Sequence, residues 1–192
     1  MYVRNWMTSR VIVVAPGEKA RKALDLMEAR HIRRLPVVEA GSLVGIVTKS
    51  DLQGGLQGRN AASFGRKTVA HFMTPGPQTV SPGDTLESVA QLMMRKRISG
   101  VPVVAVEKLV GILTESDLFR ALYRMMGFGE EGPRISMRIP ESGDVLDAVR
   151  HRIGRLKVQS IAGFHDPAAH HWDVVVRVRG RIPERTPRTK AR

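Results

Sequence analysis

The chain has 192 residues, 42% apolar and 26% charged, the balance of an ordinary soluble globular protein. No apolar run approaches the ~20 residues that span a bilayer, and no apolar signal core opens the chain, so a cytoplasmic protein with no membrane partner is expected. There is no cysteine, which excludes disulfides and thiolate zinc sites, and 31 basic against 18 acidic residues give a net charge of +13. Such a charge attracts polyanions.

Taken in order, Val11-Ile12-Val13-Val14 reads as a short β-branched strand, and Pro16-Gly17 as a turn. Ala20, Ala23, Leu24 and Met27 then step at three and four, the buried face of a helix. Leu35 to Glu39 and Leu43 to Val47 are strands around the tight turn Ala40-Gly41-Ser42. A short helix starts after Thr48. Residues 53–68 read as a flexible Gly-rich linker. Gln78-Thr79-Val80 opens a second set of elements: a helix with Leu86, Val89, Ala90 and Met93 on one face, strands Val101 to Val106 and Leu109 to Leu113, and a longer closing helix. On that last helix Leu118, Leu122, Met125 and Met126 share a face. Residues 130–133 are a boundary. Beyond it come a strand at Ile135 to Ile139, a helix capped by Asp144, a strand at Val158 to Phe164, a loop at His165 to His171, and a strand at Trp172 to Val178. Residues 181–192 carry Arg181, Arg185, Arg188, Lys190 and Arg192 against Glu184 alone. They read as a disordered basic arm.

The first two sets are one set written twice. Gly45-Ile46-Val47-Thr48-Lys49-Ser50-Asp51-Leu52 returns 66 residues later as Gly111-Ile112-Leu113-Thr114-Glu115-Ser116-Asp117-Leu118. Met7-Thr8 meets Met73-Thr74 in the same register, and Pro36-Val37-Val38 meets Pro102-Val103-Val104. Two copies of a unit too small to close a core alone should pack on each other.

Within the repeated stretch, Thr48 and Asp51 fit a capping box at a strand-to-helix junction. Free N–H groups at a helix start also attract phosphate. An aspartate can accept hydrogen bonds from the two vicinal hydroxyls of a ribose, and Gly45 lets a ligand or another backbone come close. Diol acceptor, hydroxyl and helix start together suit a nucleoside phosphate. The bland alternative is a capped helix, copied with the rest by duplication.

The Met-Thr, strand, helix, Pro-Val-Val, Leu-Val-Gly-Ile-x-Thr-x-Ser-Asp-Leu unit resembles a cystathionine-β-synthase (CBS) domain. The pair resembles the tandem called a Bateman module over about residues 1–126. The resemblance implies an α+β fold of two β-α-β-β-α units, in residues 1–60 and 61–130, with clefts between them that often hold adenosine ligands. It implies ribose contacts by Asp51 and Asp117, sugar-phosphate contacts by Thr48 and Thr114, and purine contacts along Val13 and Thr79. Arg33, Arg34, Lys49 and Arg97 would meet phosphates. The ligand would be AMP, ADP, ATP or S-adenosylmethionine, bound as a regulator and not as a catalytic cofactor. The protein would be a homodimer acting on an unknown regulated protein. The halves differ, however. Arg33-Arg34 becomes Ser99-Gly100, and Lys49 becomes Glu115, so the two clefts cannot be equivalent.

Residues 131–180 resemble a small ferredoxin-type ACT domain lacking its last helix and strand. That implies an amino-acid ligand near Pro140-Glu141-Ser142-Gly143-Asp144, where an ordinary capped loop is the alternative. The order CBS-CBS-ACT resembles the acetoin utilisation regulatory family. His165, Asp166, His170 and His171 offer zinc or nickel donors but match no strong metal motif, and no metal site is expected. No nucleophile motif is present, so no enzyme is expected. An alternative function is a nucleic-acid-associated regulator that uses the basic arm.

Overall fold

The computed structural model describes residues 1–56 and 61–180. The chain divides into two compact units, Met1–Leu118 and Phe119–Arg192. The first contains α1 (Ala20–Ala29), β1 (Arg34–Glu39), β2 (Ser42–Thr48), α2 (Lys49–Gly55), α3 (Ala61–Phe64), β3 (Thr74–Pro75), α4 (Leu86–Lys96), β4 (Gly100–Ala105) and β5 (Lys108–Thr114). Helix α5 (Glu115–Met125) begins in the first unit and ends in the second. The second unit continues with β6 (Arg134–Pro140), α6 (Val145–Ile153), β7 (Lys157–Asp166) and β8 (His171–Arg179).

The repeat is visible down to its irregularities. Hairpins β1–β2 and β4–β5 share one register, and each slips once, between Val37 and Val38 and between Val103 and Val104. Their two-residue turns, Ala40-Gly41 and Val106-Glu107, all have positive φ. Such turns match the twist of the flanking strands. Helices α1 and α4 also end alike. His31 and Arg97 take left-handed φ of 52 and 54°, and Ile32 N and Ile98 N reach back to Met27 O and Met93 O at 2.9 and 3.0 Å. That is the Schellman ending, normally given to glycine.

Each repeat lends its opening segment to the other. Val3 N donates to Asp84 O at 2.9 Å, and its counterpart Val69 N donates to Glu18 O at 2.8 Å. Thr8 bridges Ile112 in β5, as Thr74 of β3 pairs with Ile46 in β2. Gly45 and Gly111 make this exchange possible. A Cβ on Gly45 would stand 2.7 Å from Met73 Sδ and 3.1 Å from the Thr74 carbonyl, and one on Gly111 would stand 2.5 Å from Met7 Sδ. The core of the first repeat therefore gathers Ala20, Leu24 and Met27 with Leu35, Val37, Val47 and Leu52, and also with Phe64 and Val69 from beyond α2.

Three expectations need correction. The strands expected at Val11 to Val14 and at Gln78 to Val80 are single bridges, Val14 to Val37 and Val80 to Val103. Pro16 and Pro82 follow two residues later and cannot donate to a ladder. The expected flexible linker is partly helical, since Gln53, Gly54 and Gly55 complete α2 and Ala61–Phe64 form α3. The loop expected at His165 to His171 is shorter, because Asp166 pairs with His171.

In the second unit the three antiparallel strands lie in the order β6-β8-β7. Asp144 caps α6 by accepting from Asp147 N at 2.9 Å. Ile135, Ile139, Val174, Val176 and Val178 form a core with Val149 of α6.

Candidate functional site

Strand β2 runs into α2 at Thr48, where both halves of the capping box are made. Thr48 Oγ1 accepts from Asp51 N at 3.2 Å, and Asp51 Oδ2 accepts from Thr48 N at 2.8 Å. The Thr48 hydroxyl donates to the same Oδ2 at 2.7 Å. The cap thus uses one carboxylate oxygen, and Oδ1 makes no hydrogen bond among the described residues. Asp51 is half-buried and lines a cleft of about 350 Å³ between the repeats. Ile46 and Thr48 share that wall. The second repeat supplies Thr74, Gly76 to Gln78 and Arg97 to Gly100, and Arg34 enters from β1.

Arg34 explains the mismatch between the halves. Its guanidinium crosses to the second repeat, where Nη2 donates to Ser99 Oγ at 2.8 Å and Nη1 donates to the Ser99 carbonyl. Its own counterpart is Gly100, and a Cβ there would run into the guanidinium. Arginine in one repeat and glycine in the other are one complementary pair. Burial holds the Arg34 guanidinium below its ordinary range, Arg33 adds to the shift, and Glu115 and Asp117 oppose it. A desolvated cation disfavours its own charge, and an arriving anion would restore it.

The second junction differs in exposure. Thr114 N and Thr114 Oγ1 donate to Asp117 Oδ2 at 2.9 and 2.7 Å, but Asp117 is only 3% exposed.

The Asp51 cleft therefore brings together Thr48, Asp51, Arg34 and Arg97. The remaining expected residues lie outside its lining. Val13, Thr79 and Arg33 are exposed, Lys49 Nζ pairs with Glu28 at 3.2 Å, and Thr114 and Asp117 belong to the other junction. Gln78, beside Thr79, lines the cleft in its place, and Ser99 was marked in the sequence only as a departure from the repeat. The loop histidines meet carboxylates: His165 and His170 reach Glu141 at 3.0 and 2.9 Å, and His171 reaches Asp173 at 3.1 Å. Among the described residues no group of three or more His, Asp or Glu is arranged to hold a metal ion, and no helix is long and apolar enough to cross a membrane. The basic arm at 181–192 lies outside the described residues.

Residues 3–58 and 69–124 match the family model for the CBS domain, and the chain belongs to that family. It is 34% identical over 118 residues to the CBS domain-containing protein YhcV of Bacillus subtilis, covering 60% of this chain and 81% of that protein. It spans under half the length of several other curated relatives. Among solved structures, the protein AcuB of Vibrio cholerae, assigned to acetoin utilization, superposes with a TM-score of 0.61 at 29% identity, over 69% of this chain and 98% of that one. CBSX2 of Arabidopsis thaliana in complex with AMP gives 0.56 at 35% identity, over 63% and 95%. The CBS pair of MJ0100 in complex with 5-methylthioadenosine and S-adenosyl-L-methionine gives 0.58 at 29% identity, over 64% and 95%.

Proposed function

We propose that the protein is a non-catalytic sensor that binds an adenine nucleotide in the Asp51 cleft and passes its bound state to a partner protein. The observation that carries this reading is the company Asp51 keeps. A carboxylate with a spare oxygen suits a ribose diol, and two arginines line the same cleft to meet phosphate. AMP, ADP and ATP therefore fit better than S-adenosylmethionine, whose sulfonium adds a positive charge. The AMP and S-adenosyl-L-methionine complexes of similar CBS pairs support the ligand class. Binding would bias the module's shape only through unequal affinity for its states.

A homodimer belongs to the same reading. Phe119, Leu122, Tyr123 and Met125 of α5 are 71, 49, 52 and 51% exposed, an apolar face suited to a second copy. The second unit would be the ACT-like regulatory piece, a reading supported by its β-α-β-β order. The test is thermal unfolding with AMP, ATP, S-adenosylmethionine and methylthioadenosine. A phosphate-bearing ligand at 100 times its Kd should add about 2.7 kcal/mol. No shift with any adenosine ligand would end the proposal.

A further inference from the structure

In the second unit α6 covers one face of the sheet, and on the other, among the described residues, only the turn after α5 packs, with Gly127 against Ser160 and Arg177. Ile135, Ile139, Val174, Val176 and Val178 point to the α6 side, and strand alternation sends their neighbours to the other. On that other face Arg134 stands opposite Arg177, and Lys157 stands opposite Arg179. Because β8 is the middle strand, the four cations form one cluster at one end of the sheet. Like charges directly opposite across strands repel. Arg134, Lys157 and Arg179 are exposed, and the acidic residue lining the groove beside Lys157 and Arg179 is Glu130. Arg177 lies 5.6 Å from the centre of the Phe128 ring, and its Nε is buried without a hydrogen bond.

Further along β6 the charge is balanced, because Arg138 Nε pairs with Asp173 Oδ1 at 3.2 Å. Arg138 is four residues from Arg134 on the same face, about 13 Å at ~3.3 Å per residue. A shallow groove runs between them, lined also by Ser136, Asp173 and Val175. Phe164 stands opposite Asp173 on this face and is 67% exposed.

We propose that the exposed part of this sheet face binds single-stranded nucleic acid, with Arg134, Lys157 and Arg179 on phosphates and Phe164 stacking on a base. Charge complementarity selects a polyanion, which relieves the repulsion built into the cross-strand pairs. The exposed Phe164 ring, on the same face seven residues along β7 from Lys157, selects a nucleic acid over an acidic peptide. This site shares no residue with the Asp51 cleft and is built from residues of the sheet.

The experiment titrates the full chain against a labelled single-stranded oligonucleotide of about 15 nucleotides, near the upper site size for one small domain, and follows anisotropy over a salt series. Removing two phosphate contacts in the Arg134→Gln/Arg179→Gln double variant should weaken binding about tenfold near physiological salt. It should also flatten the log–log salt slope by about 1.4. The double variant should keep or raise its melting temperature, because it relieves repulsion. Phe164→Ala should weaken binding without changing the slope. A chain ending at residue 180 should still lose affinity on the Arg134/Arg179 change. Wild-type affinity in the double variant, no binding by wild type, or equal binding of polyglutamate or phosphatidylserine vesicles would each overturn the proposal.

Discussion

Asp117→Ala is expected to destabilise the fold by about 2–4 kcal/mol, and Asp51→Ala by about 1. Both changes delete the acidic partner of an N-cap threonine, and loss of the N-cap side chain itself costs roughly 0.5–2 kcal/mol. The difference comes from what is left behind. Asp117 is 3% exposed, and its Oδ2 accepts from both the Thr114 N–H and the Thr114 hydroxyl. Losing the acceptor in a site closed to water adds about 1–3 kcal/mol for the stranded donors. Asp51 lines an open cleft, so water can replace its carboxylate at Thr48. Urea unfolding of the two variants measures the gap, and equal losses would contradict it.

Gly55→Ala and Gly54→Ala should move stability in opposite directions, although the two glycines are neighbours in one helix. Alanine is ordinarily the better helix residue by about 0.5–1 kcal/mol. Gly54 is exposed, and a Cβ added there meets nothing within 4 Å, so Gly54→Ala should stabilise by about that amount. Gly55 is buried against the Phe64–Phe72 pair, whose ring centres are 5.4 Å apart. A Cβ there would stand 2.8 Å from Phe72 Cζ and 3.1 Å from Phe64 Cδ2. Overpacking of this kind costs about 1–3 kcal/mol, more than the helix gains. Thermal unfolding of the two single variants should show the first melting above wild type and the second below. Two stabilised variants would mean that the aromatic pair yields freely.

These cases show which features were legible in the sequence. The 66-residue repeat carried the hairpins, the long helices and the capping boxes, because those depend on local pattern and turn chemistry. It also marked Asp51, Thr48, Arg34 and Arg97, which the cleft brings together. The role of Gly55 was hidden, because Gly55 and its partner Phe64 fall inside what read as a loose linker and Phe72 lies beyond it. So was the exchange of opening segments, since Val3 meets Asp84 across 81 positions and no local periodicity encodes that contact. Val13 and Thr79 were expected on strands, but one bridge each does not build a strand, and Gln78 lines the cleft where Thr79 was expected. In the sequence, the change from Arg34 to Gly100 said only that the two clefts cannot be equivalent. In the fold it is a steric pairing that admits a single guanidinium.

The most direct test of the nucleotide reading is calorimetric titration of AMP into wild type and Asp51→Asn. The amide keeps the shape of the side chain but loses the charge and half of its acceptor capacity. Hydrogen bonds to a charged group are worth about 1.5–3 kcal/mol, so affinity should fall at least tenfold. Undiminished affinity in Asp51→Asn would contradict the account.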